Sequence, residues 1–535
     1  MRFCLLIALV LGALPVSVQA QALTHVRIDA DNAPALAARL QAEGFDVLKA
    51  SVRGGSFELI VSDEELALLT QRGYAPVTLA HSRPFRDIQA EWLAAGEDAP
   101  PGYPTLSQVL AELNARAAAY PTICRVVDLT ATYNIPPTVE GRHLFAAKVS
   151  DNVAQDEDEP VFLLVGCHHA RELVTPVIAL EALSRLTSQY GSDPDITAAV
   201  NKYEIWIAPV WNPDGYEYVF NVNNMWRKNR HVFPTGVGVD QNRNYPFGWS
   251  GPCAGSTVVT SETYKGPSPA SESETQTMIA WSDDRHFAKV VDYHSYGRVV
   301  VWGYGCKVHP FDTFLQSEAA ALSSASGYGG NTDYAGTEGM HYQWQVALHA
   351  SYAYLIETHT SFQPTYESAQ AEARLVWPGV LWMLQRPVAL LGRVTDAWNG
   401  VPVVAALSLA GVNFPNGEVN RSNGRFGRYH AFLPAGNYTA QFAATGYVAR
   451  SFPVTVTPNS EQALDVVLTR RWPLGDLNCD GVVNNFDIDP FVLALTDPAG
   501  YRTRYPDCVW YNADCNNDGV VNNFDIDPFV KLLTP

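Results

Sequence analysis

Residues 165 to 176 read VGCHHARELVTP, with two adjacent histidines and with Glu172 three positions after His169. Imidazole and carboxylate groups at that spacing can hold one metal ion between them. Zinc in a catalytic centre takes three protein ligands and keeps a fourth position open for water. His168 has Arg171 three positions on, not a carboxylate, so the spacing assigns His169 as the ligand and His168 as its neighbour. The candidate third donor is His294 in VVDYHSYGRVVVWGYG, where an apolar run again ends on a histidine. A lone His-x-x-Glu fragment is more often an ordinary surface pair, so its surroundings must decide.

Those surroundings place the pair at the end of a strand. Val161 to Val165 is continuously apolar, as in a strand covered on both faces, and Leu173 to Tyr190 has helical periodicity. Open α/β sheets bind ligands where a strand gives way to a helix. Thr105 and Gln108 form a capping box before a helix ending near Tyr120. Strands are predicted at 143–149, 161–167, 204–210, 290–294, 299–302 and 352–357, alternating with helical segments to Gln385. This pattern predicts an α/β domain with a mixed, mostly parallel sheet and helices on both faces.

At 535 residues the chain is multidomain. Residues 24 to 80 alternate β-α-β-β-α-β, an α+β ferredoxin-like unit, and a polar connector runs from His81 to Pro104. From 388 to 469, short alternating strands separated by turns at 398–402, 422–426 and 434–438 predict a small β-sandwich. The start reads as a signal peptide over residues 1–20: Arg2, an apolar stretch from Phe3 to Leu14, and Ala20-Gln21-Ala22 as cleavage site. No segment qualifies as a membrane span. The expectation is a secreted, extracellular or cell-surface protein.

A net charge of −19 argues against nucleic acid as a partner, since phosphate binding needs basic patches, and suits cation binding. Without Cys4, seven of the eight cysteines remain, so at least one stays unpaired. Cys167 reads as a core thiol, while Cys253 with Cys306, and the trio Cys479, Cys508 and Cys515, are disulfide candidates.

The tail, residues 473–535, repeats itself. DLNCDGVVNNFDIDPFV from Asp476 recurs as DCNNDGVVNNFDIDPFV from Asp514, an offset of 38 residues. Calcium takes carboxylate, amide and carbonyl oxygens at alternating loop positions, with glycine at the sharp bend. The first loop offers Asp476, Asn478, Asp480, the Val482 carbonyl, Asn484 and Asp487, with Gly481 at the bend. The second offers Asp514, Asn516, Asp518, the Val520 carbonyl, Asn522 and Asp525, with Gly519. Two structural calcium ions in a helical calcium-loop tail are the expectation.

Longer motifs then make the chain recognisable. GCHHARE, NPDGYEY (212–218), MWRKNR (225–230), GVDQNRNYPFGW (238–249), SETYKGPSPASESET (261–275), DYHSYG (292–297) and YLIETH (354–359) occur in order. Over residues 103–387 the chain resembles zinc carboxypeptidases of the M14 type. That resemblance implies His169, Glu172 and His294 as ligands of one catalytic zinc, and Glu357 as the catalytic glutamate that takes a proton from the attacking water. It implies Arg227, with Arg230 as the choice if the loop has slipped, as the group that polarises the scissile carbonyl. Asn242 and Arg243 match the pair that grips a terminal carboxylate, and Arg171 a substrate-lining arginine. Tyr334 is the match for a mobile tyrosine that closes over the substrate. Counting back from Glu357 puts Tyr342 or His341 at the side-chain-selecting position, which points to a neutral or aromatic-accepting pocket, with Glu338 nearby leaving a basic preference open.

Residues 21–95 resemble the pro-segment of these enzymes, residues 388–470 a transthyretin-like carboxypeptidase-regulatory domain, and the tail a type I dockerin. The implied protein is a secreted metallocarboxypeptidase acting on peptide or protein C-termini, with a cohesin-like or cell-surface partner for its tail. A cell-wall peptidase or amidase of the same superfamily is the rival hydrolase, and the Asn242–Arg243 grip argues for a free α-carboxylate instead. A non-catalytic adhesion or assembly protein is the rival from another class, and the complete set His169, Glu172, His294, Glu357 and Arg227 counts against it.

Overall fold

This computed structural model describes residues 22–533. The signal peptide read at residues 1–20 lies outside the described residues. The N-terminal unit runs β1 (Leu23–Asp29), α1 (Ala33–Ala42), β2 (Asp46–Leu48), β3 (Ser56–Ser62), α2 (Asp63–Gln71) and β4 (Val77–His81). Its sheet has the order β2-β3-β1-β4, with every pairing antiparallel. Alternation along β1 and β3 turns Val26, Ile28, Phe57 and Leu59 inward, where Leu40 and Leu69 of the helices close the core. Helix α2 starts on a reciprocal cap, Ser62 accepting from the Glu65 amide and Glu65 from the Ser62 amide.

The central sheet has eight strands: β5 (Cys124–Asp128), β6 (Phe145–Val149), β7 (Val161–Gly166), β8 (Glu204–Ala208), β9 (Lys289–Ser295), β10 (Val299–Trp302), β11 (Thr332–Tyr334) and β12 (Tyr352–Thr358). Their order is β11-β10-β12-β9-β7-β8-β6-β5. The run β8-β7-β9-β12 is parallel, and β6 joins it antiparallel on one side and β10 on the other. The sheet is therefore mixed, with parallel pairings in the majority once β10 with β11 is included. Edge strands β5 and β11 are short and largely half-buried, so they lack the continuous apolar run that marks the central strands.

Helices cover both faces. On one, α3 (Val174–Ser188) and α5 (Tyr366–Gln385) pack together over Phe162, Leu164, Val291 and Ile356. On the other, α4 (His341–His349) sets Tyr342, Trp344 and Ala347 against Leu163, Val290 and Leu355. Cys253–Cys306 and Cys479–Cys508 are disulfides, leaving Cys124, Cys167 and Cys515 as free thiols among the described residues. No helix among the described residues is long and apolar enough to cross a membrane.

Residues 390–468 form two small packed sheets. This sandwich presents Arg421, Arg425 and Arg428 to Asp283, Asp284, Asp156 and Asp158 of the central domain. The tail then folds back on the sandwich. Val509 joins the sandwich core, and Arg470 bridges the two units. Its Nε donates to Asp396 Oδ2 at 2.6 Å and its Nη1 to the Tyr511 carbonyl at 2.6 Å, while Tyr447 donates to the same carboxylate at 2.7 Å. Arg470 and Asp396 are fully screened from solvent at their side chains.

Removing one partner from such a buried pair strands the other charge, a loss of about 3–5 kcal/mol. Arg470→Ala is therefore expected to lower the unfolding free energy of the sandwich and tail by that order. It should also open the chain between Thr469 and Asp476 to limited proteolysis. An unchanged denaturation midpoint would show that the joint is held by something else.

Candidate active site

Three strands deliver the chemistry to one place. Strand β7 ends at Gly166, and the turn after it carries His169 and Glu172. Strands β9 and β12 pair in parallel with His294 opposite Glu357. These side chains meet at the carboxyl ends of parallel strands, as in other open α/β sheets.

The donor atoms converge. His169 Nδ1 lies 2.7 Å from Glu172 Oε1, and His294 Nδ1 lies 3.1 Å from both Glu172 Oε2 and His169 Nδ1. A tetrahedral zinc with arms of about 2.0–2.1 Å sets its ligand atoms roughly 3.3 Å apart. The three residues are buried, and their chemistry of two imidazoles and one carboxylate fits that ion. His168 stands outside this set, as its spacing implies: its Nδ1 bonds Asp292 Oδ1 at 3.0 Å.

Asp240 is a residue the spacing argument missed. Its Oδ1 lies 3.3 Å from His169 Nε2, and its Oδ2 accepts from Arg227 Nε and Nη2 at 3.0 and 2.8 Å. Burial opposes its charge, but Arg227, Arg243 and His169 outweigh that and hold its carboxyl well below the usual range. It sits inside the quoted GVDQNRN motif, two positions before Asn242, so the signal was there without a role attached.

A cavity of about 420 Å³ lies over these groups, lined by His169, Glu172, Arg171, Arg227, Asn242, Arg243 and Glu357. Glu357 Oε2 is buried without a hydrogen-bond partner. Arg243 Nη1 donates to the Asn242 carbonyl at 2.7 Å. Arg230 is elsewhere, stacked on Tyr218 with its guanidinium 3.6 Å from the ring centroid. Tyr296 and Phe362 also line the cavity, and Arg171 lies 4.4 Å from the Phe362 ring centroid.

Residues Asp46 to Ala50 of the N-terminal unit form part of the same lining. Asp46 Oδ2 lies 2.6 Å from Arg171 Nη2, with both side chains buried. Ser261 Oγ donates to the Gly44 carbonyl at 2.6 Å, and Lys49 Nζ lies 3.6 Å from Asp333.

Three sequence expectations need correction. Tyr334 does not line the cavity. It pairs with Trp302 across β11 and β10, packs edge-on against that ring at 4.8 Å, and donates its hydroxyl to the Lys307 carbonyl at 2.6 Å. Neither Tyr342 nor His341 forms the selecting wall: Tyr342 donates to the Gly303 carbonyl at 2.8 Å inside the core, and His341 bonds Asp292 at 3.1 Å. Val299, Val301, Met340 and Leu355 line the cavity instead. Glu338 is buried against Lys307 Nζ at 3.0 Å and does not reach the cavity lining.

In the tail, Asp476, Asp487, Asp514 and Asp525 are buried, and Gly481 and Gly519 adopt the left-handed backbone their bend requires. Asp476 Oδ1 has no hydrogen-bond partner. The clusters among the described residues that bring three acidic, histidine or cysteine ligand atoms within 4.8 Å of one another all lie outside the tail. The carboxylates of each loop are thus not drawn tightly together.

The sequence profile of the zinc carboxypeptidases (peptidase M14) matches residues 109–379, half of the chain. The chain belongs to the zinc carboxypeptidase family. Carboxypeptidase A2 of Rattus norvegicus is 33% identical over 226 residues, covering 42% of this chain and 52% of that protein. Metallocarboxypeptidase A of Trichophyton rubrum is 35% identical over 179 residues, covering 32% of this chain and 42% of that protein. The chain thus spans about half the length of these carboxypeptidase relatives. The crystal structure of carboxypeptidase A from Helicoverpa armigera superposes with a TM-score of 0.56 at 22% identity, covering 67% of this chain and 96% of that one, a likeness of fold.

Without metal, burial and the nearby Glu172 carboxylate push the Glu357 carboxyl up to about 7, against opposing pulls from His294 and Arg227. A folded value above the ordinary range favours the folded state at low pH, and that contribution is lost as pH rises from the ordinary range through about 7. A divalent cation in the His169–Glu172–His294 cage stabilises the ionised form. Infrared titration of zinc-free and zinc-loaded protein is expected to show the Glu357 midpoint falling on loading. An unmoved midpoint would place the ion elsewhere.

Proposed function

We propose that this chain is a zinc-dependent metallocarboxypeptidase that hydrolyses the last peptide bond of peptides or proteins. The observation that carries the reading is the convergence of His169, Glu172 and His294 beside an unpartnered Glu357 carboxylate, under a cavity holding three arginines. When bound, zinc supplies Lewis acidity for the scissile carbonyl and for water. Glu357 accepts the proton of the attacking water and hands it to the departing amine. Arg227, fixed by two bonds to Asp240, faces the negative charge that develops on the carbonyl oxygen. Arg243 and Asn242 receive the terminal carboxylate, with the planar guanidinium suited to two parallel bonds. Arg171 lines the same cavity.

Val299, Val301, Met340 and Leu355 favour an apolar terminal side chain, and Glu338, tied to Lys307, gives a basic one no counter-charge. The N-terminal unit acts as a restraining pro-segment. Asp46 occupies Arg171 and the unit walls the cavity, so a cut in the connector from His81 to Pro104 frees the site. Export by the leader at residues 1–20 brings the enzyme to the proteases that cut it.

The sandwich takes the role of a regulatory domain without catalytic groups. The tail is a dockerin-like module with one calcium per repeat, a reading that rests on the matched ligand sets and on the orphaned Asp476 oxygen. Its partner is a cohesin-like or cell-surface protein.

A mass-spectrometric digest of a peptide library by connector-cleaved protein is expected to show loss of single apolar C-terminal residues, faster than by the full chain. Glu357→Gln should keep its zinc and lose about 10²–10⁴-fold in turnover. Internal cleavage, or full activity in Glu357→Gln, would sink the reading. For the tail, calorimetry on the full chain is expected to report two calcium ions, and none after Asp480→Ala with Asp518→Ala. Identical heats from both proteins would remove the loops as sites.

A further inference from the structure

We propose that Asp292 is a positioning residue for the metal centre, clasped by three buried imidazoles so that its carboxylate holds His294 with Nδ1 turned to the metal. The inference rests on the zinc reading of His169, Glu172 and His294.

Asp292 and His294 are two residues apart on β9, so strand alternation sends both side chains to the same face. Asp292 Oδ1 lies 3.2 Å from His294 Nε2 and 3.0 Å from His168 Nδ1, and its Oδ2 lies 3.1 Å from His341 Nδ1. All four residues are completely buried. An ionised carboxylate only accepts, so each facing ring nitrogen must carry the proton. The outer two rings close the account. His168 Nε2 lies 3.2 Å from the Tyr245 hydroxyl, and His341 Nε2 lies 3.0 Å from the Gln345 amide nitrogen, each a donor to a neutral ring. Both outer histidines thereby have a partner at each ring nitrogen.

That leaves His294. Asn242 Nδ2 also approaches its Nε2, at 3.2 Å, and an amide donor there would move the ring proton to Nδ1, the wrong side for a metal. Asp292 cannot donate, and a charge-assisted bond is about twice as strong as a neutral one, so the carboxylate decides the tautomer. His169 has a carboxylate of its own behind it, Asp240, but that group is shared with the Arg227 cation. Among the described residues, Asp292 forms its ion pairs with imidazoles and with neither an arginine nor a lysine. Neither Asp292 nor His168 lines the cavity, so a role in contacting substrate is closed to them.

Partners behind a metal-bound histidine typically change metal affinity by about 10–100-fold when removed. The test compares wild type and Asp292→Asn in the full chain. It measures zinc affinity by competition with a chelator, the visible spectrum of the cobalt-substituted protein, and the melting point of the zinc-free form. Asp292→Asn is expected to weaken zinc by about 10–100-fold and to shift the cobalt bands while the zinc-free protein stays folded. Unchanged affinity and spectrum would overturn the proposal, as would a fall in the zinc-free melting point with affinity intact, the mark of a core residue only. Should Asp292→Asn not fold, Asp292→Ser keeps an acceptor in the same space and is judged on the same two readouts. His169→Ala guards the underlying reading: zinc held by it as well as by wild type would refute the cage itself, independently of Asp292.

Discussion

The parallel register that sets His294 opposite Glu357 is the constraint on which the site depends. It sets an imidazole of the His169–Glu172–His294 cluster and the unpartnered Glu357 carboxylate on neighbouring strands, held by main-chain hydrogen bonds and not by loop conformation. Strand β7 pairs with the other side of β9 and stops at the same end, which brings His169 and Glu172 into range. A slip of one residue between β9 and β12 would send one of the two groups to the opposite face of the sheet. The continuous burial of β7 and β9 makes such a slip costly, because every apolar side chain would change faces with it.

Charge is organised around this frame in two layers. Asp240 joins His169 to Arg227, so one buried carboxylate couples a ring of the candidate metal cluster to a cation that lines the cavity. Farther out, Asp46 reaches across from the N-terminal unit to Arg171. Buried pairs of this kind are weak sources of net stability but strongly penalise loss of one member, so they favour a single arrangement. On the far side of the domain the arginines at 421, 425 and 428 do the joining on a more exposed surface, where salt screens them more.

Much of this was legible in the chain, and what was not has a common cause. The capping boxes at Thr105 and Ser62, the apolar run of β7 and the β-α-β-β-α-β order of residues 24–80 are local patterns, and the structure contains them. The zinc cage was readable because His169 and Glu172 sit three apart and His294 ends its own apolar run. Tyr334, Tyr342 and His341 were placed by counting along the chain, which says where a backbone passes and not where a side chain points. Tyr334 turned to Trp302 and Lys307 because its short edge strand offers that face. Asp240 reaches His169, and Asp46 reaches Arg171, across more than forty residues, and no spacing rule reaches that far.

The joint at Arg470 means that the tail is not strung on a free linker. Both repeats leave a phenylalanine almost wholly outside, Phe486 at 78% and Phe524 at 79% exposure. Anything gripped there would sit at a set bearing from the mouth of the active site. Reach would then be governed by orientation and not by tether length: a chain end bound at the wrong angle gains nothing from being near, and one at the right angle gains a high local concentration.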